Sequence, residues 1–325
     1  MASPNAIFTE IVSTTFRNHS KEIADNFTNH NALYRQMAKK GKTRSESGGY
    51  SIVQPLEYAA NGTYQRYSGF DVLNTAQSDV FTAAEFNWRQ IAINVISSGY
   101  ELRINAGPQR LANLAKSRIK NAINTFANNF SADMYADGSL TNQIDGLQKI
   151  VADTPTNTVG GISASTWAFW QNKVQSAAAP LQGGAAITPS AVAGVMESLM
   201  LPLLIEQTRN NDKPDIIVSS NDYFQFYEGG LVSNKRYVGE SEANGGFMSL
   251  MYHGIPVIFD GSSGMAASRM YFLNTNYLEM VTHSDANMTV MDEAKPYNQD
   301  AVVVPILWMG NFVCSNRALQ GVLKA

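Results

Sequence analysis

Apolar positions are sparse over residues 5–40, where Ile7, Ile11, Ile23, Phe27, Tyr34 and Met37 stand among polar neighbours. That spacing predicts short helices on an arm with little core of its own, an arm that needs a partner surface. From Tyr50 to Tyr58 the pattern becomes alternation: Tyr50, Ile52, Leu56 and Tyr58 share one parity. Asn61-Gly62 then offers the residues of a type I′ turn, and Thr63–Gly69 returns, so a β-hairpin is predicted. Val80–Ile96 reads as a long strand whose apolar parity moves from Phe86 and Trp88 to Ile91, Ile93 and Val95, which predicts a bulge or bend near Arg89-Gln90. After Ser97-Ser98-Gly99, Tyr100, Leu102 and Ile104 alternate as a further strand.

Gly107-Pro108 opens the clearest helix. Proline suits a first helical turn, and Leu111, Leu114, Ile119, Ala122, Ile123, Phe126, Phe130 and Met134 follow at helical spacing as far as Asp137-Gly138. At ~1.5 Å per residue this strut is on the order of 45 Å long. Gly146–Gly161 reads as a loop, Trp167–Val174 as a short amphipathic segment and Ala177–Pro189 as a small-residue linker. A second long helix starts at Pro189-Ser190 and ends by Asn210-Asn211. Ile216–Val218 is a short buried strand, and Asn221 or Asp222 is placed to cap the helix carrying Tyr223, Phe226 and Tyr227. Ile255–Phe259, Met270–Leu273, Leu278–Val281 and Thr289–Met291 read as strands, and Ala301–Val313 as a β run that Pro305 assigns to an edge or bulge. Gly239–Gly246 reads as a flexible loop, and no internal repeat is present. The fold class is α+β.

At 325 residues the chain is long enough for one large or two interwoven domains. Charged residues are only 16% of the chain while 14 Tyr supply uncharged polarity, a composition suited to surfaces that become covered. Four of those Tyr, at positions 50, 58, 64 and 67, lie on the predicted hairpin. Two strands are not stable alone, so the hairpin either docks on another subunit or covers its own domain. Net charge is -3, yet residues 1–50 carry seven Lys/Arg against four Asp/Glu, leaving the body acidic and unsuited to polyanions. The cluster Arg35, Lys39, Lys40, Lys42 and Arg44 is either a solvated helix end with its linker or a contact for nucleic acid or a scaffold protein. Cys314 is the single cysteine, which excludes an intrachain disulfide and suits a reducing cytoplasm. No signal peptide is evident, and no stretch reads as a membrane span; even Val192–Ile205 contains Glu197 and Pro202.

Chemistry-bearing motifs are missing. Gly41-Lys42-Thr43 resembles the end of a phosphate loop, but position 36 is Gln where that motif needs Gly. Gly261-Ser262-Ser263-Gly264 has its glycines one residue too close for a nucleophile elbow and reads as a turn. His19, His30, His253 and His283 are scattered, and Glu240 with Glu242 lie in a Gly- and Asn-rich loop with no apolar wall to raise a carboxyl pKa. No catalytic residue, cofactor or metal site is expected.

The order of arm, Tyr-rich hairpin, long strands, strut helix, α+β region and late returning strand resembles the major capsid proteins of tailed bacteriophages with the Hong Kong 97 fold. Local wording agrees: Asp145-Gly146-Leu147, Thr158-Val159-Gly160-Gly161-Ile162, Lys213-Pro214-Asp215, His253-Gly254-Ile255-Pro256-Val257 and Arg269-Met270-Tyr271-Phe272-Leu273-Asn274. The resemblance implies an N-terminal arm over residues 1–49 and an extended loop over 50–82. A peripheral domain would span 83–139 with its spine helix at 108–137, an axial domain 140–290, and C-terminal return strands 291–325. It implies pentamers and hexamers in an icosahedral shell around double-stranded DNA, assembled in the host bacterial cytoplasm, with a portal and a possible cementing protein. The intersubunit contacts it implies are Tyr50, Ile52, Leu56, Tyr58, Asn61, Gly62, Tyr64, Arg66, Tyr67 and Phe70. Some relatives crosslink through a Lys on this loop, but residues 50–82 contain none, Arg66 being the one basic residue there, so noncovalent locking is expected. Only about fifty residues precede the hairpin, which implies a separate scaffold protein. A nanocompartment (encapsulin-like) shell, and an enzyme whose site carries no motif, are the alternatives.

Overall fold

A computed structural model describes residues 31–104, 108–231, 249–261 and 264–325. The arm to residue 30 with His19 and His30, the Gly239–Gly246 loop with Glu240 and Glu242, and Ser262-Ser263 lie outside the described residues. In chain order the elements are α1 (Ala32–Lys39), β1 (Thr43–Glu46), β2 (Ser51–Glu57), β3 (Phe81–Asn87), β4 (Arg89–Ser98), α2 (Gly99–Ile104), α3 (Pro108–Tyr135) and α4 (Leu147–Ile150). There follow β5 (Thr158–Val159), β6 (Ile162–Ser163), β7 (Lys173–Ser176), α5 (Val192–Gln207), β8 (Ile216–Ser219) and α6 (Asn221–Gly230). The last are β9 (Ser249–Tyr252), β10 (Ile255–Phe259), β11 (Arg269–Leu273), β12 (Leu278–His283), β13 (Thr289–Val290), β14 (Ala301–Cys314) and β15 (Gly321–Lys324).

Two sheets organise the chain. In the first, β14 is central: β4 pairs along one edge, β12 and β13 along the other, and β1 joins β12 in parallel. The strut helix α3 packs Ile119, Ala122 and Ile123 on one face of this sheet, against Val95, Val302, Val304 and Ile306. Further along, Phe130 stands edge-on to Trp308 with ring centroids 4.9 Å apart. The second sheet runs β7-β15-β11-β8-β10-β9 and is buried on both faces. Ile216, Val218, Tyr271, Leu273 and Val322 enter the central cluster, while Ile217, Met270, Phe272 and Leu323 meet α5 and α6 on the other side. Two-sided burial explains why these strands are continuous apolar runs.

Several expectations are corrected. Ser51–Glu57 pairs with Phe81–Asn87, not with Thr63–Gly69, so a long loop separates the two strands of the hairpin. The predicted long strand is divided at Trp88, one residue before the expected bend: β3 serves β2 and β4 serves β14. Tyr100–Ile104 is helical because Ser98 and Glu101 form a capping box: Glu101 N donates to Ser98 Oγ at 3.3 Å, and Ser98 N donates to a Glu101 carboxylate oxygen at 3.3 Å. Ser220, not Asn221 or Asp222, precedes α6, and the Asp222 carboxylate turns back to Ser220 and Ser268. Pro305 lies in the middle of the central strand, not at an edge. Met291 N donates to Pro305 O at 2.9 Å, and the N–H that proline lacks faces the place where the ladder lapses between Val290 and the Ala294–Val303 bridge. Pro189–Gln207 does reach the length and apolar content of a membrane span, contrary to expectation, but Val192, Met196, Leu199, Met200 and Leu203 bury one side of it in the second core.

Candidate assembly surface

Residues 58–80, between β2 and β3, form a loop braced by side chains in place of a ladder. Asn61 Oδ1 accepts from Thr63 N at 2.9 Å and from Thr63 Oγ1 at 2.8 Å, an Asx turn where a type I′ turn was predicted. Ser78 Oγ accepts from Gly62 N at 3.0 Å, Asn74 Nδ2 donates to Gly62 O at 3.2 Å, and Gln65 Nε2 donates to Val72 O at 3.1 Å. The amides tie one limb to the other and leave the apolar side chains without cover. Tyr50, Tyr64, Tyr67 and Phe70 are exposed, with Asn61, Gly62 and Arg66 beside them. Val72, Leu73 and Phe81, which the sequence reading passed over, are exposed too, and Phe70 and Val72 essentially fully so.

Three of the expected contact residues point the other way. Ile52 and Leu56 are buried with Ala84 and Phe86 in the chain's own central core, and Tyr58 leans on Trp167 and Phe169 at centroid distances of 5.7 and 5.8 Å. The hairpin stem thus covers its own domain, and the loop beyond it is the free part. Neither outer edge of the stem invites a further strand. Tyr58 N donates to Val80 O, which sets residues 52, 54 and 56 toward β3 and residues 53, 55 and 57 outward, so the free edge carries Pro55 with no N–H. On the opposite edge Glu85 N donates to Gly160 O at 2.9 Å.

A second uncovered surface is the face of β4 and β14 opposite α3. Residues 301–309 of β14 are apolar on both parities. Val302, Val304, Ile306 and Trp308 are buried, whereas Val303, Pro305, Leu307 and Met309 are half-exposed, next to exposed Ala92 and Ile96 on β4 and Met291 after β13. None of these outward residues belongs to the three buried clusters. On β4 this face carries Gln90, Ala92, Asn94 and Ile96, opposite Met309, Leu307, Pro305 and Val303, and neither strand places a charged side chain on it; Arg89, opposite Gly310, has the parity of the other face.

The basic cluster is divided in space. Lys40 Nζ lies 2.7 Å from Asp215, and Arg44 reaches Glu46 at 3.0 Å, Glu279 at 3.5 Å and Gln54 at 3.3 Å. Arg35 and Lys42 are half-buried and Lys39 is exposed. Acids distant in sequence therefore neutralise part of a cluster that reads as uncompensated. Among the described residues no three His, Cys, Asp or Glu gather as metal ligands. His253 packs against Tyr252 and His283 against Trp88. Burial pushes the Cys314 thiol up to about 12, which removes it as a nucleophile.

Comparison with solved structures places the fold. No protein-family model and no curated protein matches the sequence. A chain of the cyanophage A-1(L) capsid asymmetric unit superposes with a TM-score of 0.63 at 16% identity, covering 87% of this chain and 90% of that one. A chain from the capsid of the native GTA particle gives 0.54 at 14% identity, covering 88% of each. A chain from the capsid of the Myoviridae phage XM1 gives 0.50 at 14% identity, covering 89% and 91%. The fold is that of phage capsid chains, as the resemblance in sequence implies.

Proposed function

We propose that this chain, which has the fold of phage capsid chains, is the major capsid protein of a tailed bacteriophage. Many copies close as pentamers and hexamers into the icosahedral head that encloses double-stranded DNA. Its activity is binding, not catalysis. The observation that carries this reading is the pair of uncovered apolar surfaces: the 58–80 loop and the outer face of β4–β14 sit on different parts of one copy. Contact between them in neighbouring copies is head-to-tail, the class that generates rings when the rotation closes. Tyr64, Tyr67, Phe70, Val72 and Leu73 of one copy lie over Val303, Leu307 and Met309 of the next. Burial is worth about 25 cal/mol per Å² of apolar area removed from water. Pro55 and the Glu85–Gly160 bond favour side-chain docking over strand addition, and a loop without Lys favours noncovalent locking.

The domain assignment, with an arm over 1–49, an extended loop over 50–82, a peripheral domain over 83–139 and 291–325 and an axial domain over 140–290, belongs to the same proposal. So do a separate scaffold, a portal, a possible cementing protein and assembly in the host cytoplasm. Sedimentation of the wild type beside Phe70→Asp and Leu307→Glu tests the docking. The wild type is expected to sediment as large particles and each variant as a folded small species. Variants that sediment like the wild type would overturn the proposed contact.

A further inference from the structure

Between Pro108 and Ala132 the chain has no Asp or Glu but holds Arg110, Lys116, Arg118 and Lys120, in a protein whose net charge is -3. The outward side of α3 presents Lys120, Asn121, Asn124, Asn128 and Asn129, all exposed and recurring at helical spacing. Asn is among the poorer helix formers, and a solvent face usually carries Lys, Glu, Gln or Arg. No hydrogen bond within the described residues occupies these four Asn side chains. Between Ser117 and Tyr135 no large apolar side chain is exposed, so the face lacks the aromatic and aliphatic centre of a protein interface. The nearest acids are engaged: Glu101 accepts from Arg118 at 2.7 Å, and Asp133 accepts from Gln143 at 2.7 Å.

We infer that this face of α3 is a contact surface for the backbone of double-stranded DNA, with Lys120 supplying charge and the Asn amides donating to phosphate oxygens. Amide side chains are regular phosphate ligands, and they hold a duplex without sequence preference. From Ser117 to Asn129 the face is ~18 Å long at ~1.5 Å per residue, about five steps of a duplex at ~3.4 Å per step. With Lys120 the one exposed cation among the described side chains of this face, beside neutral donors, the contact is weak and mildly salt-dependent, suited to packing DNA that must later leave. The inference rests on the capsid reading for the source of the DNA, not for the chemistry of the face.

The test is fluorescence anisotropy of a labelled 20-base-pair duplex with the full chain at low salt, alongside electron microscopy of each preparation. Asn121→Asp/Asn124→Asp/Asn128→Asp is expected to weaken binding at least tenfold and Lys120→Glu about threefold. The matching Gln triple variant should stay within threefold of the wild type, and all should form shells. DNA binding by the Asp variant equal to wild type, or a wild type that binds no duplex, would overturn the inference. So would an Asp variant that keeps DNA binding but loses its shells, because the face would then be a protein contact. A wild type that binds DNA through these residues yet forms no shells would uphold the inference and sink the capsid reading.

Discussion

Arg317 is fully buried, and oxygens of uncharged groups surround it in place of a carboxylate. Its Nε donates to Ile150 O at 2.7 Å, and one terminal nitrogen donates to Asn157 Oδ1 at 2.7 Å and Asn172 Oδ1 at 3.0 Å. Burial lowers its pKa to about 10. One guanidinium thus joins the end of α4, the loop before β5 and the start of β7 to the C-terminal segment. Arg317→Met should destabilise unassembled subunits by about 2–4 kcal/mol in urea unfolding, because three acceptors lose their donor; unchanged stability would refute the role. Asp222 is a second fastening. Burial raises its carboxyl pKa, but hydrogen bonds from Ser220 and Ser268 outweigh that and hold it below the ordinary value of 3.8. A depressed carboxyl contributes stability above the unfolded pKa and loses it as pH falls through the folded one. Wild-type stability should therefore drop further than that of Asp222→Asn as unfolding is followed from pH 5 to pH 2.5, and parallel curves would contradict the assignment. Neither residue was legible in sequence as a tether: Arg317 sits in a polar C-terminal stretch, and Asp222 resembles a helix cap. Ser220 apart, which lies two positions before Asp222, their partners are 46 to 167 positions away.

At the level of elements, local patterns were read well where one period dominates. Pro108 and the apolar spacing to Met134 located α3 to within two residues of its end, and the apolar runs of β8, β10 and β11 announced strands, the first of them as buried. The misreadings arose where a side chain overrode the period. Glu101 closes a capping box and turns an alternating segment into α2. Asn61 satisfies Thr63 and leaves Ser51–Glu57 to find its partner beyond residue 80. Close approaches also escape sequence: a Cβ on Gly146 would lie 2.3 Å from Ala136 O, so the turn entering α4 packs against the end of the strut. Gly146→Ala should cost about 1–3 kcal/mol, read as a lower melting temperature of the subunit, and an unchanged melt would show that the turn can move aside. For the loop, replacing Ala60–Ser78 with a short Gly-Ser turn should leave the β2–β3 register and a folded subunit, while shells fail to form. Normal, equally stable particles from that variant would end the docking role.

Across the whole molecule the low charge and the apolar content on both parities of β14 point to surfaces finished only by other copies. The order of elements carried the fold resemblance, and structural likeness at 16% identity or below shows that the architecture outlasts the wording. The uncovered face on β4–β14 was visible in sequence only as excess hydrophobicity. Which side α3 would cover depends on a register between residues some two hundred positions apart. The basic cluster near residue 40 shows the reverse, a charge run that folding partly neutralises through Asp215 and Glu279. Negative-stain electron microscopy of the purified chain, expressed with and without a candidate scaffold, tests the central claim most directly. Regular closed shells hundreds of ångströms across, on the order expected when obligate interfaces tile a sphere, are the predicted result. Uniform small oligomers in both preparations would contradict it.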